Sequence, residues 1–153
     1  MHFLSIFTNF ALQRIKYAMI VTKIIISLGS NTLPEQHIEQ AVGFLKQTFG
    51  EVWLTRRMWT KPIGMKSSSR FLNMLVLAYT PWSLQRVEDE LKRIERLCGR
   101  KPEDKMNERV AIDVDLLLYG NERCHLNDWQ RDYVDLLMTE LKDTAHVAMS
   151  GVD

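Results

Sequence analysis

The sequence has few cysteines, no long apolar run and almost no net charge, and each of these argues against a functional class. Its 153 residues include only two cysteines, Cys98 and Cys124, which form no C-x-x-C pair. This argues against a disulfide framework, and a zinc site would lack its usual four ligands. No apolar run reaches the roughly 18 residues that a membrane span needs. The net charge is +1, so no global attraction to nucleic acid or anionic membrane is expected. We therefore expect no nucleic acid and no membrane as partners, and we predict a monomer.

Glycine-rich nucleotide loops are also missing. Ile24, Ile25 and Ile26 predict a buried strand that ends at Gly29, but neither G-x-x-x-x-G-K-[ST] nor G-x-G-x-x-G follows. P-loop and Rossmann folds are thereby excluded. With 46% hydrophobic and 25% charged residues, the composition is that of an ordinary globular domain.

Three regions are predicted along the chain. Residues 1–22 form an N-terminal extension in which Met19 is a candidate start, residues 23–142 form the domain, and residues 143–153 form a tail. The first residues lack the basic start and the small-residue cleavage site of a signal peptide. Since the cysteines are also read as reduced thiols, we predict a cytoplasmic protein.

Hydrophobic periodicity predicts the order β-α-β-β-α-β, followed by a last helix. The first helix begins at Pro34 and ends at Gly50; the second is capped by Ser83 and ends at Gly99. This order is typical of an α+β, ferredoxin-like βαββαβ sandwich, with two helices on one face of a four-stranded antiparallel sheet. A C-terminal helix is predicted to start after Asn127 or Asp128. The fold by itself decides nothing about chemistry.

The strand at residues 111–121 carries the clearest chemical signal. Ile112, Val114, Leu116 and Leu118 alternate onto one face, while Asp113 and Asp115 begin the other face, which turns apolar at Leu117 and Tyr119. Two like charges on one strand repel each other unless a cation lies between them. Mg²⁺ takes one or two carboxylates, so the pair is a candidate magnesium site; a solvated strand edge is the alternative, and spacing alone does not decide between them.

A basic cluster lies just ahead of these acids. Arg100, Lys101, Lys105 and Arg109 alternate there with acidic residues. Such a run is most often a solvated surface. Placed before an acid pair, it could instead neutralise a polyphosphate.

Five stretches of the sequence form a specific set: SLGSN at 27–31, TKPIG at 60–64, FLN at 71–73, RIERLCGR at 93–100 and IDVDLLLYGN at 112–121. Together and in this order they resemble the 6-hydroxymethyl-7,8-dihydropterin pyrophosphokinase family of folate synthesis, which implies small-molecule partners. The resemblance implies an enzyme that transfers pyrophosphate from ATP to the hydroxymethyl group of the pterin and releases AMP. It also implies two Mg²⁺ ions and ATP as co-substrate.

The resemblance assigns a role to each matching residue. Asp113 and Asp115 would be the magnesium ligands, and Arg100 and Arg109 would join them in catalysis. The nucleotide would be contacted by Glu95, Arg100 and Arg131. The pterin would be bound by two stacking aromatics, one amide and two backbone-contacting positions, which are Phe71, Tyr133, Asn73, Thr60 and Ile63.

The chain departs from the family pattern at several points. Val110 stands where the family has an arginine, so that Arg109 is one residue out of place, and Met106, Asn107 and Glu108 before it are not the family's usual residue types. Lys92 replaces an amide, and the Pro-His-containing segment after Asn121 is missing. The alternative function is therefore a divergent relative that binds nucleotide or pterin with little or no catalysis. An RNA-binding ferredoxin-like domain is a weaker alternative, because the glycine-aromatic sheet motif of that class is absent.

Overall fold

The computed structural model describes residues 21–62 and 69–150, with side chains as far as residue 143. Residues 1–20 of the predicted extension, and Ile63, lie outside these ranges. The strands are β1 (Thr22–Ser30), β2 (Trp53–Leu54), β3 (Met58–Thr60), β4 (Phe71–Thr80), β5 (Asp113–Tyr119) and β6 (Glu122–Arg123). The helices are α1 (Pro34–Phe49), α2 (Leu84–Leu97) and α3 (Asp132–Ser150), with short 3₁₀ helices at Pro102–Asn107 and Leu126–Gln130.

The predicted α+β class is confirmed, with an antiparallel sheet in the order β2-β4-β1-β5-β6. The predicted four-stranded sheet is not confirmed, since the described residues form six strands in one sheet, with β3 also paired to β4. The predicted second strand is divided because the Thr55 hydroxyl accepts the N–H of Leu75 at 2.9 Å, in place of a backbone carbonyl. The sixth strand comes from a short hairpin between β5 and β6.

The ends of α1 and α2 are where the sequence predicts them. Pro34 lies in the first turn of α1, and Gly50 follows its last residue with φ of 80°. Ser83 caps α2 by accepting the N–H of Arg86 at 3.2 Å. Gly99 follows with φ of 93°, in the left-handed region that glycine adopts most readily. Within the described parts of the chain, no helix has the length and apolarity needed to cross a membrane.

Two apolar clusters lie on opposite faces of the sheet. The first joins α1 and α2 to alternate residues of β1, β4 and β5, including Ile24, Ile26, Leu28 and Val114. The second joins α3 to the intervening residues Ile25, Leu75, Leu77 and Leu117. The two predicted helices therefore share one face, and the C-terminal helix covers the other.

A β-bulge changes the side-chain pattern late in β5. Ile25 pairs with Leu118 but Ile26 pairs with Leu116, which leaves Leu117 as an extra residue. Leu118 consequently packs on the α3 face and Tyr119 on the opposite face, where its hydroxyl donates to Trp82 O at 2.8 Å. The predicted placement of both side chains is wrong, because one extra residue exchanges the faces after it.

The C-terminal helix begins later than predicted. The 3₁₀ helix Leu126–Gln130 occupies the expected start, and α3 follows at Asp132. The indole N–H of Trp129 contacts Leu117 O at 3.2 Å and Cys124 O at 3.0 Å, which fixes this turn against the end of β5. α3 then runs to Ser150, past the predicted domain boundary at residue 142.

Candidate functional site

The acid pair lies at one end of a cavity of about 430 Å³ on the α3 face of the sheet. Asp113 pairs in register with Gly29, and Asp115 pairs with Ser27. All four residues line the cavity. The two acids are two positions apart on one strand, about 6.8 Å along it, so both carboxylates project into the same space. A cavity of this size is within the range of small-molecule sites.

Each acid is in contact with a basic side chain, from α2 in one case and from just after α2 in the other. The guanidinium of Arg100 contacts Asp113 Oδ1 and donates to Ile112 O at 3.1 Å. The ammonium of Lys92 lies 3.1 Å from Asp115 Oδ1 and 3.0 Å from Glu95 Oε1. Burial works to lower the pKa of Lys92, but the Asp115 and Glu95 carboxylates outweigh it and raise that pKa above its ordinary value. Lys92 is therefore a permanent positive charge beside the acid pair at neutral pH.

Glu95, an expected nucleotide contact, does not line the cavity. It is only 5% exposed, and its Oε1 accepts the backbone N–H of Val114 at 2.8 Å. Its other oxygen lies 3.9 Å from Arg100 Nε. A buried carboxylate needs such partners. The geometry gives Glu95 the role of joining α2 to β5 and holding Lys92 and Arg100 beside the acids.

Phe71 and Asn73 of β4 and Thr60 of β3 line the same cavity. Asn73 is 4% exposed, and its Nδ2 donates to Thr60 Oγ1 at 2.7 Å, with longer contacts to the carbonyls of Met58 and Phe71. These bonds fix the amide plane. They use only the nitrogen, so Oδ1 remains available as an acceptor.

Gly29 is the reason that this amide fits. A Cβ on Gly29 would lie 3.1 Å from Asn73 Oδ1 and 3.9 Å from the Phe71 ring. Because 3.1 Å is closer than an ordinary van der Waals contact, the amide would have to shift. The glycine therefore provides the space in which the Asn73 oxygen and the Phe71 ring face the cavity, a role that strand and loop patterns did not reveal.

Tyr133 and Arg131 complete the wall on the side of α3. Tyr133 is 8% exposed, and burial raises the pKa of its phenol although Arg131 partly offsets this. Arg131 Nε lies 3.7 Å from Asp128 Oδ1. A second, adjoining cavity of about 570 Å³ shares Thr60, Lys61, Arg131 and Tyr133 with the first.

Val110, and not Arg109, lines the cavity. The segment ahead of β5 is held by Asn31: its Nδ2 donates to Glu108 O at 2.7 Å, and its Oδ1 accepts the Val110 N–H at 2.7 Å. The Asn31 N–H also donates to Val110 O at 3.0 Å. Arg109 lies between these fixed points and is exposed. The arginine predicted to be catalytic is therefore not brought to the acid pair.

The cavity mixes charges of both signs. Its basic lining residues are Lys61, Arg100, Lys105 and Arg131, and its acidic ones are Glu108, Asp113, Asp115 and Asp128. Lys105 was visible in the sequence only as part of a charge run, and Lys61 and Ser27 were not singled out. Their positions depend on the tertiary structure, which brings the 3₁₀ helix Pro102–Asn107 and the end of β3 to the same cavity.

The donor set fits magnesium better than a transition metal. Among the described residues, no group of three or more His, Cys, Asp or Glu side chains could enclose an ion. Two carboxylates on one strand leave most of a coordination shell to water and substrate oxygens, as Mg²⁺ prefers. Asp113 and Asp115 are the residues that would hold it.

Paired acids flanked by cations, beside an aromatic and an amide side chain, are the arrangement expected of a phosphoryl-transfer site. Comparison with known protein families gives a match that covers most of the chain. The chain belongs to the 7,8-dihydro-6-hydroxymethylpterin-pyrophosphokinase family, whose model matches residues 25–143.

Named relatives agree with this membership. A Haemophilus influenzae protein named 2-amino-4-hydroxy-6-hydroxymethyldihydropteridine pyrophosphokinase is 33% identical over 100 residues, which are 63% of this chain and 62% of that protein. The mitochondrial folate synthesis bifunctional proteins of Arabidopsis thaliana and Pisum sativum are 29% and 28% identical, over 80% of this chain in each case. The chain spans 24% and 26% of those plant proteins, and less than two thirds of the bacterial one.

Proposed function

We propose that this chain transfers pyrophosphate from ATP to the hydroxymethyl group of 6-hydroxymethyl-7,8-dihydropterin, releasing AMP, as a step of folate biosynthesis. Family membership supports the reaction. The observation that carries the proposal is one cavity that holds both the acid pair, Asp113 and Asp115, and the aromatic and amide pair, Phe71 and Asn73. A transfer between two substrates requires both of their binding elements to face one space.

The pterin is proposed to occupy the end of the cavity lined by Phe71 and Tyr133. Flat heterocycles stack on aromatic rings, and the Asn73 oxygen can accept from the amino or ring N–H groups of the pterin. The carbonyls of Met58 and Phe71 face the Asn73 nitrogen and can only accept, so turning the amide to present a donor would set its oxygen against them. This fixed acceptor favours a ring edge that carries N–H donors.

The triphosphate is proposed to lie against the basic residues of the cavity, Arg100, Lys105 and Arg131. These cations would offset the charge of the phosphates while the pterin alcohol attacks the β-phosphorus and AMP leaves. Two Mg²⁺ ions held by Asp113 and Asp115 would supply further charge neutralisation and would align the phosphates when bound. Arg100 already contacts Asp113, so it needs little movement to reach a phosphate oxygen beside that acid.

The test is AMP release, measured in reactions that contain ATP, Mg²⁺ and the pterin, and in reactions that omit each one. We expect AMP only from the complete mixture. The variants Asp113→Asn and Asp115→Asn are expected to lower kcat at least a hundredfold, the usual scale for losing one aligned electrostatic group. Asp135→Asn, at an exposed position on α3, is the matched control and is expected to retain full activity.

A second candidate function is supported by the position of Val110. An aliphatic side chain lines the cavity where the family has an arginine, and Arg109 does not replace it. A pterin- or nucleotide-binding protein with little turnover would follow from that loss of charge. Thermal stabilisation by Mg-ATP or pterin, without AMP release from folded protein while a control enzyme turns over, would select this function and reject the first. We further propose a cytoplasmic monomer, which sedimentation velocity and fractionation would test.

A further inference from the structure

Lys92 contacts the acid pair from α2 but does not line the cavity. Its ammonium lies between Asp115 Oδ1 at 3.1 Å and Glu95 Oε1 at 3.0 Å. The side chain of Glu95 is 7% exposed, whereas those of Asp115 and Lys92 are 24% and 43% exposed. The lysine is thus anchored by a buried carboxylate and reaches from it to a carboxylate of the cavity.

We propose that Lys92 competes with the divalent cation for Asp115 and sets the ion affinity of the site. The inference rests on the proposed magnesium site and goes beyond it, because it concerns a side chain that does not line the cavity. The ammonium that donates to Asp115 Oδ1 occupies one of the acceptor positions of this carboxylate. A divalent ion must therefore displace the ammonium or bind beside it, against its charge.

The anchoring to Glu95 makes the competition persistent. An ammonium on a fully exposed stem would swing into water when an ion arrives, and it would then be largely screened. Here the second contact, to a buried acid that also accepts the N–H of Val114, holds Lys92 near β5. Asp115 and this ammonium are already in contact, so an ion that replaces the contact remains within a few ångströms of a like charge, where repulsion is strong.

The two acids differ in this respect. Arg100 contacts Asp113, but it also lines the cavity and can turn toward a phosphate oxygen. Lys92 does not line the cavity. Although Arg100 Nε also lies 3.9 Å from Glu95 Oε2, Arg100 faces the space where a phosphate would bind, whereas Lys92 does not and remains opposed to the ion.

The experiment is a titration with Mn²⁺, followed by electron paramagnetic resonance of the free ion, in the presence of α,β-methylene-ATP. This analogue cannot be cleaved between the α- and β-phosphorus atoms, so binding is measured without turnover. We expect Lys92→Gln to bind Mn²⁺ about tenfold more tightly than the unchanged chain, which corresponds to about 1.4 kcal/mol. Lys92→Arg keeps the charge and is expected to bind like the unchanged chain.

Arg93→Gln is the matched control. It removes the same charge one position along α2, where the guanidinium pairs with Glu90 and not with the acid pair. Its Mn²⁺ affinity is expected to stay within a factor of two. Lys92→Met, a second neutral variant, is measured with the first, and circular dichroism shows which variants are folded.

Equal Mn²⁺ affinity in the unchanged chain and in a folded neutral variant overturns the inference, and leaves the proposed transfer reaction intact if AMP is still formed. Absence of Mn²⁺ binding from every variant overturns the inference together with the magnesium site on which it rests. Tighter binding by Lys92→Gln and Lys92→Met, with Arg93→Gln unchanged, supports it. Tighter binding by Arg93→Gln as well would show a general charge effect and would overturn the specific role of Lys92.

Discussion

Replacing Asn31 by alanine tests whether this side chain holds the segment ahead of the acid strand. Its amide makes two bonds of 2.7 Å, to Glu108 O and from the Val110 N–H, across a sequence separation of 77 and 79 residues. A net hydrogen bond contributes about 1 kcal/mol, and a donor left without a partner in a partly buried place costs about 1–3 kcal/mol. The free energy of unfolding should therefore fall by about 2–4 kcal/mol in Asn31→Ala.

The measurement is urea unfolding followed by tryptophan fluorescence, with Gln40→Ala as the control. Gln40 is an exposed amide on α1, and its replacement is expected to change the free energy by less than about 0.5 kcal/mol. Asn31→Asp should lie between the two, because it keeps the acceptor for the Val110 N–H and loses the donor to Glu108 O. A loss below about 1 kcal/mol in Asn31→Ala would refute the reasoning, since the bonds would then have no net value.

Two further predictions concern pterin binding in the cavity and the dependence of protein stability on pH. Gly29→Ala should weaken pterin binding about tenfold in calorimetry, because the added Cβ would lie 3.1 Å from the Asn73 oxygen and displace it. Gly43→Ala is the control and should bind pterin normally, because there is open space around Gly43. An equal loss of affinity in both variants would contradict this explanation. Burial raises the pKa of Tyr133 above the ordinary value of 10.0, so the unfolded chain releases this proton first and stability should fall as pH rises above 10.0. Absorbance at 295 nm should show a late tyrosinate step that Tyr133→Phe removes, and its persistence in that variant would assign the step to another residue.

The fold could be predicted where local signals were strong. The sequence predicted that α2 lies between Ser83 and Gly99 and that α1 runs from Pro34 to Gly50. These limits were predictable because helix capping and positive φ depend on residues close in sequence. The bulge at Leu117 could not be predicted in the same way. It depends on how β5 pairs with β1, and the sequence of one strand does not contain the register of its partner.

The candidate site shows the same division. Asp113 and Asp115, two positions apart on a strand, had to project together, and they do. Nothing in their own segment could show that Gly29 makes space for Asn73, a contact between β1 and β4. The sequence also could not determine the direction of the Arg109 side chain. That direction depends on Asn31, which binds the backbone of Glu108 and of Val110 on either side of Arg109.

Val110 and Lys92 are best understood together. By resemblance to the family, Val110 replaces an arginine at the cavity and Lys92 replaces an amide on α2, so one cation is absent from the cavity while another lies beside Asp115 on the α2 side. A cation that lines the cavity can leave the acids and follow a phosphate. Lys92 does not line the cavity and lies 3.0 Å from the buried Glu95 carboxylate, so it stays beside Asp115 and opposes a metal ion there. The exchange therefore predicts weaker assistance to the phosphates and weaker ion binding at the same time, and it makes the concentration of divalent cation the condition on which activity of this chain should depend most.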